Sequence, residues 1–190
     1  CAVIHAADAT LTLNPALRYQ TMDGFGTYWE GNTDQNFTNF LANDLGESMV
    51  RFQLSSDFCP SKGSYNQGAI SGDIAQMNRF KGVGITKWIC SVWSPPAWMK
   101  TNNDVANGGN LKPECYQDFA NMVVAYCQAI KQGTGNELYA FSIQNELEFS
   151  EWYVSCVYDP TMYTNVVKVL GPALKTAGLT TKLFGPEAMT

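Results

Sequence analysis

The stretch Leu138-Tyr-Ala-Phe-Ser-Ile143 is an almost unbroken apolar run that stops at Gln144-Asn145-Glu146. Such a run is typical of a parallel strand that is covered on both faces. The clearest helix pattern of the chain precedes it: Pro113 opens the segment, and apolar side chains from Tyr116 to Ile130 share one face. A helix that leads into a buried strand is the unit from which parallel α/β sheets are built.

Strand and helix patterns alternate along the rest of the chain. Strand-like runs occupy 48–54, 85–93 and 182–187, while helical spacing of apolar residues recurs at 37–45, 74–80 and 166–174. Thr10–Leu13 indicates one more short strand, and the glycines of Met22-Asp-Gly-Phe-Gly26 allow a tight strand end beside Tyr28 and Trp29. Because no hairpin dipeptide joins the strands, we predict an α/β fold with parallel strands and right-handed crossovers.

Units of this kind close into an eight-fold barrel of about 250 residues or form a smaller open sheet. A dinucleotide-binding sheet is disfavoured, since no G-x-G-x-x-G follows a strand, and no G-x-x-x-x-G-K phosphate loop is present.

Composition excludes several function classes. The chain has 190 residues, of which 45% are apolar and 15% charged, with a net charge of −5. These values predict one globular domain, and no apolar run approaches the roughly 18 residues of a membrane span. The negative charge, without clusters of Lys or Arg, argues against nucleic-acid and membrane partners.

The single histidine restricts the chemistry further. His5 lies in residues 1–9, where Ala7-Asp8-Ala9 resembles the cleavage site of a secretory signal, so we expect a secreted protein whose folded body has no histidine. Histidine-dependent nucleophiles and His-ligated zinc are then excluded, and we expect no metal and no cofactor. The six cysteines show no C-x-x-C spacing, and they are either disulfide-bonded or buried free thiols.

Polar and aromatic side chains follow the predicted strands, where parallel α/β folds place their functional groups. These candidates are Trp29, Arg51, Trp93, Trp98, Asn145, Glu146 and Glu187. Aromatic faces cover the C–H side of sugar rings, and carboxylate, amide and guanidinium groups bond the hydroxyls, so the set fits a neutral polyhydroxylated ligand.

Each candidate has an alternative role. Glu146 ends an apolar strand, and a partly desolvated carboxyl suits a general acid, but a solvated loop glutamate fits the same position. Arg51 is either a ligand-site residue or a structural ion-pair partner. Trp93 and Trp98 are either core residues or site walls, although the prolines between them favour a wall for Trp93.

Four motifs in this order resemble glycoside hydrolase family 30. They are Asp23-Gly-Phe-Gly26, Trp93-Ser-Pro-Pro-Ala-Trp-Met-Lys100, Asn107-Gly-Gly-Asn-Leu111 and Ser142-Ile-Gln-Asn-Glu146. The resemblance runs from about residue 20 to the C-terminus. Glu151-Trp-Tyr-Val-Ser-Cys156 and Gly185-Pro-Glu187 look most like the glucuronoxylanase and xylanase branch.

This resemblance implies a (β/α)8 barrel over 21–190, of which the chain contains the first four to five units, and a side β-domain to which 10–20 contributes a strand. It also implies retaining hydrolysis of β-glycosides, most of all xylan, with Glu146 as acid/base and Asn145 on the sugar 2-hydroxyl. Arg51 would orient the catalytic carboxylates, and Trp93 would line the subsite of the cleaved sugar. Leu147 departs from the proline that the family usually has there.

A retaining mechanism needs a second carboxylate about 5–5.5 Å from the first. In the family this nucleophile follows the seventh strand, so we expect it outside the chain and do not expect Glu187 to replace it. We therefore expect an N-terminal part of a barrel, completed by further sequence or by another chain. The alternatives are a β-glycan-binding module without turnover and a hydrolase of other β-linked substrates, such as glucans or glucosylceramide.

Overall fold

The computed structural model describes residues 14–189 and contains one parallel sheet. Its strands are β1 (Gly26–Tyr28), β2 (Met49–Leu54), β3 (Lys87–Val92), β4 (Ala140–Ser142) and β5 (Lys182–Leu183). They pair in consecutive order, each parallel to the next. The predicted α/β fold with parallel strands is confirmed.

One α-helix connects each pair of neighbouring strands. These helices are α1 (Gln35–Asn39), α2 (Ser71–Gly82), α3 (Tyr116–Thr134) and α4 (Pro160–Thr176), and a π-helical turn, Phe40–Asp44, continues α1. Strand, helix and next strand in consecutive order is the repeat of a (β/α)8 barrel. Among residues 14–189, none of the helices combines the length and hydropathy that a membrane span requires.

The two faces of β2 have different roles. Val50, Phe52 and Leu54 are fully buried and belong to the core between the sheet and the helices. Arg51 and Gln53 alternate with them and therefore point to the opposite face, where they are only partly buried. This alternation places a charged side chain on the inner face of the sheet without placing it in the apolar core.

Two predicted element ends differ in detail from the structure. The sequence predicts that Gly133 helps to end α3, but Gly133 lies inside the helix, where a Cβ would come within 2.7 Å of Ile74 Cγ2. Gly135, in the left-handed region at φ 77°, is the residue that ends it. β5 is shorter than predicted, because regular pairing stops after Leu183 and resumes only at the single bridge between Asn145 and Glu187.

The predicted strand Thr10–Leu13 and the signal-like residues 1–9 lie outside the described residues. Residues 14–20, the described part of the segment predicted for a side β-domain, form one turn and irregular chain. The five cysteines among residues 14–189 are buried free thiols.

Candidate active site

Arg51 is the centre of a polar cluster at the carboxyl edge of the sheet. Its Nε donates to Ser91 Oγ (3.1 Å), and its Nη2 donates to Asn145 Oδ1 (2.6 Å) and Glu187 Oε2 (2.8 Å). These partners lie in β3, after β4 and after β5. One guanidinium from β2 therefore joins the ends of three other strands. Its fixed fork of donors suits this task, since several bonds with set directions leave from one planar group.

Two aromatic rings cover the same guanidinium. Arg51 Cζ lies 5.1 Å from the centre of the Trp93 ring and 5.6 Å from that of Tyr28. The rings meet edge to face with their centres 5.1 Å apart. Burial raises the pKa of Tyr28, and the charge of Arg51 opposes this shift in part. Trp93 is thus a wall of the cluster, and its ring is only partly buried.

Glu146 directly follows Asn145 and is partly buried. Its backbone N–H donates to the Glu187 carbonyl (3.0 Å), while Asn145 N–H donates to the Val92 carbonyl (2.7 Å). Glu146 adopts a left-handed conformation with φ 48°, which is uncommon for a residue with a side chain. Such backbone strain is typical of functional sites, where neighbouring bonds hold the residue in place.

The carboxylate of Glu187 has one oxygen bonded to Arg51 and one without a hydrogen-bond partner among the described residues. Oε2 forms the ion pair with Arg51, whereas Oε1 is buried and has no hydrogen-bond partner among the described residues. A buried acceptor without a partner costs free energy, so this carboxylate is held in place by its ion pair rather than by a full set of hydrogen bonds.

A cavity of about 580 Å³ adjoins the cluster through Tyr28. Its lining includes Trp29 and Gln53 together with the carboxyl groups of Glu30, Asp57 and Asp73. Burial raises the pKa of Asp73 to about 7. Trp29 is held here by a bond from Nε1 to the Asn32 carbonyl (2.9 Å) and packs against Phe52. The predicted Trp29 therefore lines this cavity next to the cluster.

Trp98 stands apart from the other predicted site residues. It lies in the 3₁₀ turn Ala97–Met99, packs against the core and donates from Nε1 to the Cys59 carbonyl (2.9 Å). The sequence thus predicts a group of seven residues, of which the structure brings Arg51, Trp93, Asn145, Glu146 and Glu187 together, with Trp29 beside them.

Sequence reasoning missed Ser91, Tyr28 and Asp73 as members of this region. Ser91 is a fully buried polar residue inside a strand, which is a signal that could have been used, because such a side chain needs a partner. Asp73 lies in the first turn of α2, where an acidic residue is ordinary, so the sequence alone contains no sign of its burial.

Within residues 14–189, no three His, Cys, Asp or Glu side chains are arranged to hold a metal ion.

The fold and this cluster define a parallel α/β barrel repeat with its polar groups at the carboxyl edge of the strands. Solved structures with the same architecture include the catalytic domain of the family 30 glycoside hydrolase xylanase C from Talaromyces cellulolyticus, with a TM-score of 0.81 and 25% identity over 93% of this chain. An endo-β-1,6-glucanase matches with a TM-score of 0.80 and 30% identity over 92% of the chain.

In sequence, the chain is 30% identical to an endo-1,6-β-D-glucanase of Neurospora crassa over 97% of its length. It is also 30% identical to an endo-1,6-β-D-glucanase of Trichoderma harzianum over 84% of its length. No protein-family model matches the chain.

These matches confirm the predicted barrel class, and they show similarity to family 30 glycoside hydrolases and to fungal endo-1,6-β-glucanases. The chain spans 33% of the Neurospora relative and 49% and 46% of the two solved chains. It therefore corresponds to part of each of these proteins. The predicted xylanase branch is not singled out, because glucanases and xylanases are both among the matches.

Proposed function

We propose that this protein is a glycoside hydrolase that cleaves β-linked glucan by a retaining mechanism, with Glu146 as the general acid/base. The observation that carries this proposal is the position of Glu146 at the end of β4. There it lies between Asn145, which is bonded to Arg51, and the Glu187 carbonyl. A carboxyl group that directly follows a guanidinium-bound amide can deliver a proton to a glycosidic oxygen while neighbouring groups hold the sugar hydroxyls.

In this mechanism, Glu146 protonates the leaving oxygen while a second carboxylate attacks the anomeric carbon and forms a glycosyl ester. Glu146 then removes a proton from the water that hydrolyses the ester. We assign no nucleophile among residues 14–189, because the resemblance places it after a seventh strand and the described sheet has five. We propose that Arg51 positions the carboxylates, and that Asn145, Trp93, Trp29 and Glu187 contact the substrate.

The relatives favour β-1,6-glucan as the substrate. The curated proteins that match over most of this chain are named endo-1,6-β-glucanases, as is one of the solved structures. Xylan is the second candidate, because three of the solved structures with similar folds are family 30 xylanases, each 25% identical to this chain. We also propose that the protein is secreted, since polymeric substrates of this size do not enter cells.

The experiment that tests the proposed function uses the protein purified at the full length that its host makes, and compares it on linear β-1,6-glucan, glucuronoxylan and a glucosylceramide. We expect new reducing ends on β-1,6-glucan, and a loss of at least about 1,000-fold in kcat for Glu146→Gln, because the amide cannot donate the proton. Glu114→Gln, an exposed glutamate at the start of the helical segment that leads into α3, is the matched control.

Each alternative predicts a different result. Release from glucuronoxylan alone would support the xylanase branch. A protein that binds these glycans with the same affinity before and after Glu146→Gln, and cleaves none of them, would be a binding module, and the hydrolase proposal would be wrong.

A further inference from the structure

The chain segment that follows Glu146 is held along its length by the connection between β3 and α3. Asn107 N–H donates to the Glu151 carbonyl (2.7 Å), Ser155 N–H to the Val105 carbonyl (3.0 Å), and Val157 N–H to the Gly109 carbonyl (2.8 Å). These bonds fix the backbone on both sides of residues 152 and 153. We call residues 147–159 the β4 loop.

A buried lysine adds to this fixation. Lys100 is fully buried, and its Nζ donates to the Ser155 carbonyl (2.6 Å). Ser155 Oγ in turn accepts from the backbone N–H groups of Gly108 and Glu151 (3.0 Å each). Burial lowers the pKa of Lys100. A buried charged group is costly unless its hydrogen-bond partner is held in place. Lys100 and the backbone bonds around it therefore indicate that the β4 loop has one defined shape.

Between these fixed points, two large aromatic side chains face water. Trp152 is 82% exposed and Tyr153 is 40% exposed, with ring centres 5.5 Å apart and rings nearly perpendicular. Trp152 therefore contributes little to the apolar core, although its backbone is held firmly. An exposed pair of rings on a fixed backbone is a common form of binding surface, because little backbone entropy is lost when a ligand binds.

The pair lies close to the proposed acid/base. The backbone folds back directly after Glu146, since Phe149 N–H donates to the Glu146 carbonyl (2.9 Å). Val154, the residue after Tyr153, lines the cavity that Tyr28 and Trp29 also line, so this part of the β4 loop adjoins the cluster. Partial burial raises the pKa of Tyr153, and the charges of Glu151 and Glu146 raise it further. The aromatic pair and the acid/base thus share one side of the carboxyl edge.

We propose that Trp152 and Tyr153 form the stacking surface for the sugar unit on the leaving-group side of the cleaved bond. This rests on the proposed function. The general acid protonates the leaving oxygen, so the surface beside it faces the leaving sugar rather than the sugar that stays on the nucleophile. The C–H face of a glucose unit matches the exposed rings, and the neighbouring Glu146, Glu148 and Glu151 disfavour an anionic sugar.

The test uses two substrates that differ only in the leaving group: a β-1,6-linked glucose tetrasaccharide and the fluoride of the corresponding disaccharide, whose leaving group has no ring. For Trp152→Ala we expect kcat/KM to fall about tenfold on the tetrasaccharide and to stay unchanged on the fluoride. Trp152→Phe keeps an aromatic ring, so it should retain most of the wild-type kcat/KM on the tetrasaccharide. Tyr19→Ala, which removes a ring that is 87% exposed in the irregular segment before β1, should change neither value.

Three results would overturn the stacking surface: equal losses on both substrates, no loss on either, or a lower melting temperature for Trp152→Ala, which would make the ring a packing residue. Tetrasaccharide binding to the Glu146→Gln protein, measured by calorimetry, separates the two proposals. If wild-type protein cleaves nothing but Trp152→Ala weakens this binding, the hydrolase proposal and the leaving-group assignment fail, and the pair is a sugar-binding surface only. If neither cleavage nor binding occurs, both are wrong.

Discussion

Arg51 shows how much of the site depends on one side chain. It donates to Ser91, Asn145 and Glu187 and lies against two aromatic rings. A lysine in its place would keep the charge but lose the planar fork, so it could not hold all three partners in the same directions. For Arg51→Lys we expect kcat/KM on the preferred glycan to fall roughly 100-fold, while circular dichroism shows the fold intact.

The matched control is Arg79→Lys, since Arg79 is also partly buried and bonds the Thr33 carbonyl and Gln76 Oε1. It should leave kcat/KM within about twofold of wild type, as expected for a residue without a part in catalysis. Similar losses in both variants would mean that Arg51 acts only through general stability.

Asp73 makes the stability of the folded protein depend on pH, and one substitution isolates this effect. Burial raises its pKa from 3.8 to about 7, so the folded state holds a proton that the unfolded state has released. This group therefore lowers the free energy of unfolding as pH rises from about 4 to 7. Asp73→Asn should match wild type in stability at pH 4 and be more stable by roughly 2 kcal/mol at pH 8, as measured by urea unfolding.

Glu137 supplies the opposite case as a control. Lys131 and Thr180 lower its pKa to about 2, so its contribution is complete above its ordinary pKa of 4.5 and is lost as pH falls toward 2. Glu137→Gln should therefore destabilise the protein more at pH 7 than at pH 3. If Asp73→Asn instead had the same effect at pH 4 and pH 8, the pKa of Asp73 would be the same in the folded and the unfolded protein.

At the scale of elements, the connection after β3 determines the shape of the β4 loop. Gly108 has φ 64°, and a Cβ there would come within 2.3 Å of Ser150 Oγ. An alanine would be strained by the backbone and would push the β4 loop away. We expect Gly108→Ala to lower kcat by roughly tenfold, because small shifts of a catalytic carboxyl are expensive.

The double variant Gly108→Ala/Ser150→Gly removes the contact but leaves the backbone strain. It should recover part of the lost kcat and little of the lost stability, which thermal unfolding would measure. An unchanged kcat in the single variant would show that the β4 loop does not control Glu146.

The bounds of a helix or strand could be predicted where the signal comes from residues close together in the sequence. The helix pattern after Pro113 and the apolar run before Glu146 place α3 and β4 within a few residues, because both signals come from neighbouring side chains. The end of β5 was not predictable in the same way. Pro186 lacks the N–H that a continuous ladder would need, but only the register with β4 shows that pairing resumes at Glu187.

At the scale of the whole molecule, the sheet depends on one close approach between β1 and β2. A Cβ on Gly26 would lie 1.7 Å from the Met49 carbonyl oxygen, so only glycine allows this pairing. Gly26→Ala should cost roughly 3 kcal/mol of stability and also displace Tyr28 and Trp29, with loss of activity. Gly72→Ala is the control, because nothing lies within 4 Å of its added Cβ. Equal melting temperatures for the two variants would contradict this account.

The residue types of the site could be predicted from the sequence better than the bonds between those residues. Glu146 and Arg51 stand out because each follows or interrupts an apolar strand. The ion pair between Arg51 and Glu187 could not be derived, since it joins residues 136 positions apart and depends on the order in which strands pair. The contact of Trp98 could not be derived for a related reason, because the Cys59 carbonyl that accepts its hydrogen bond lies in another connection.

The three bonds of Arg51 also impose an order on folding. Its partners lie 40, 94 and 136 residues further along the chain, so the complete cluster requires β2, β3, β4 and the segment after β5 to have met. Contacts of such long sequence separation form slowly, because a large loop must close before they can contribute. During refolding, recovery of activity should therefore lag behind burial of the apolar core, and turnover would report the last stage of assembly.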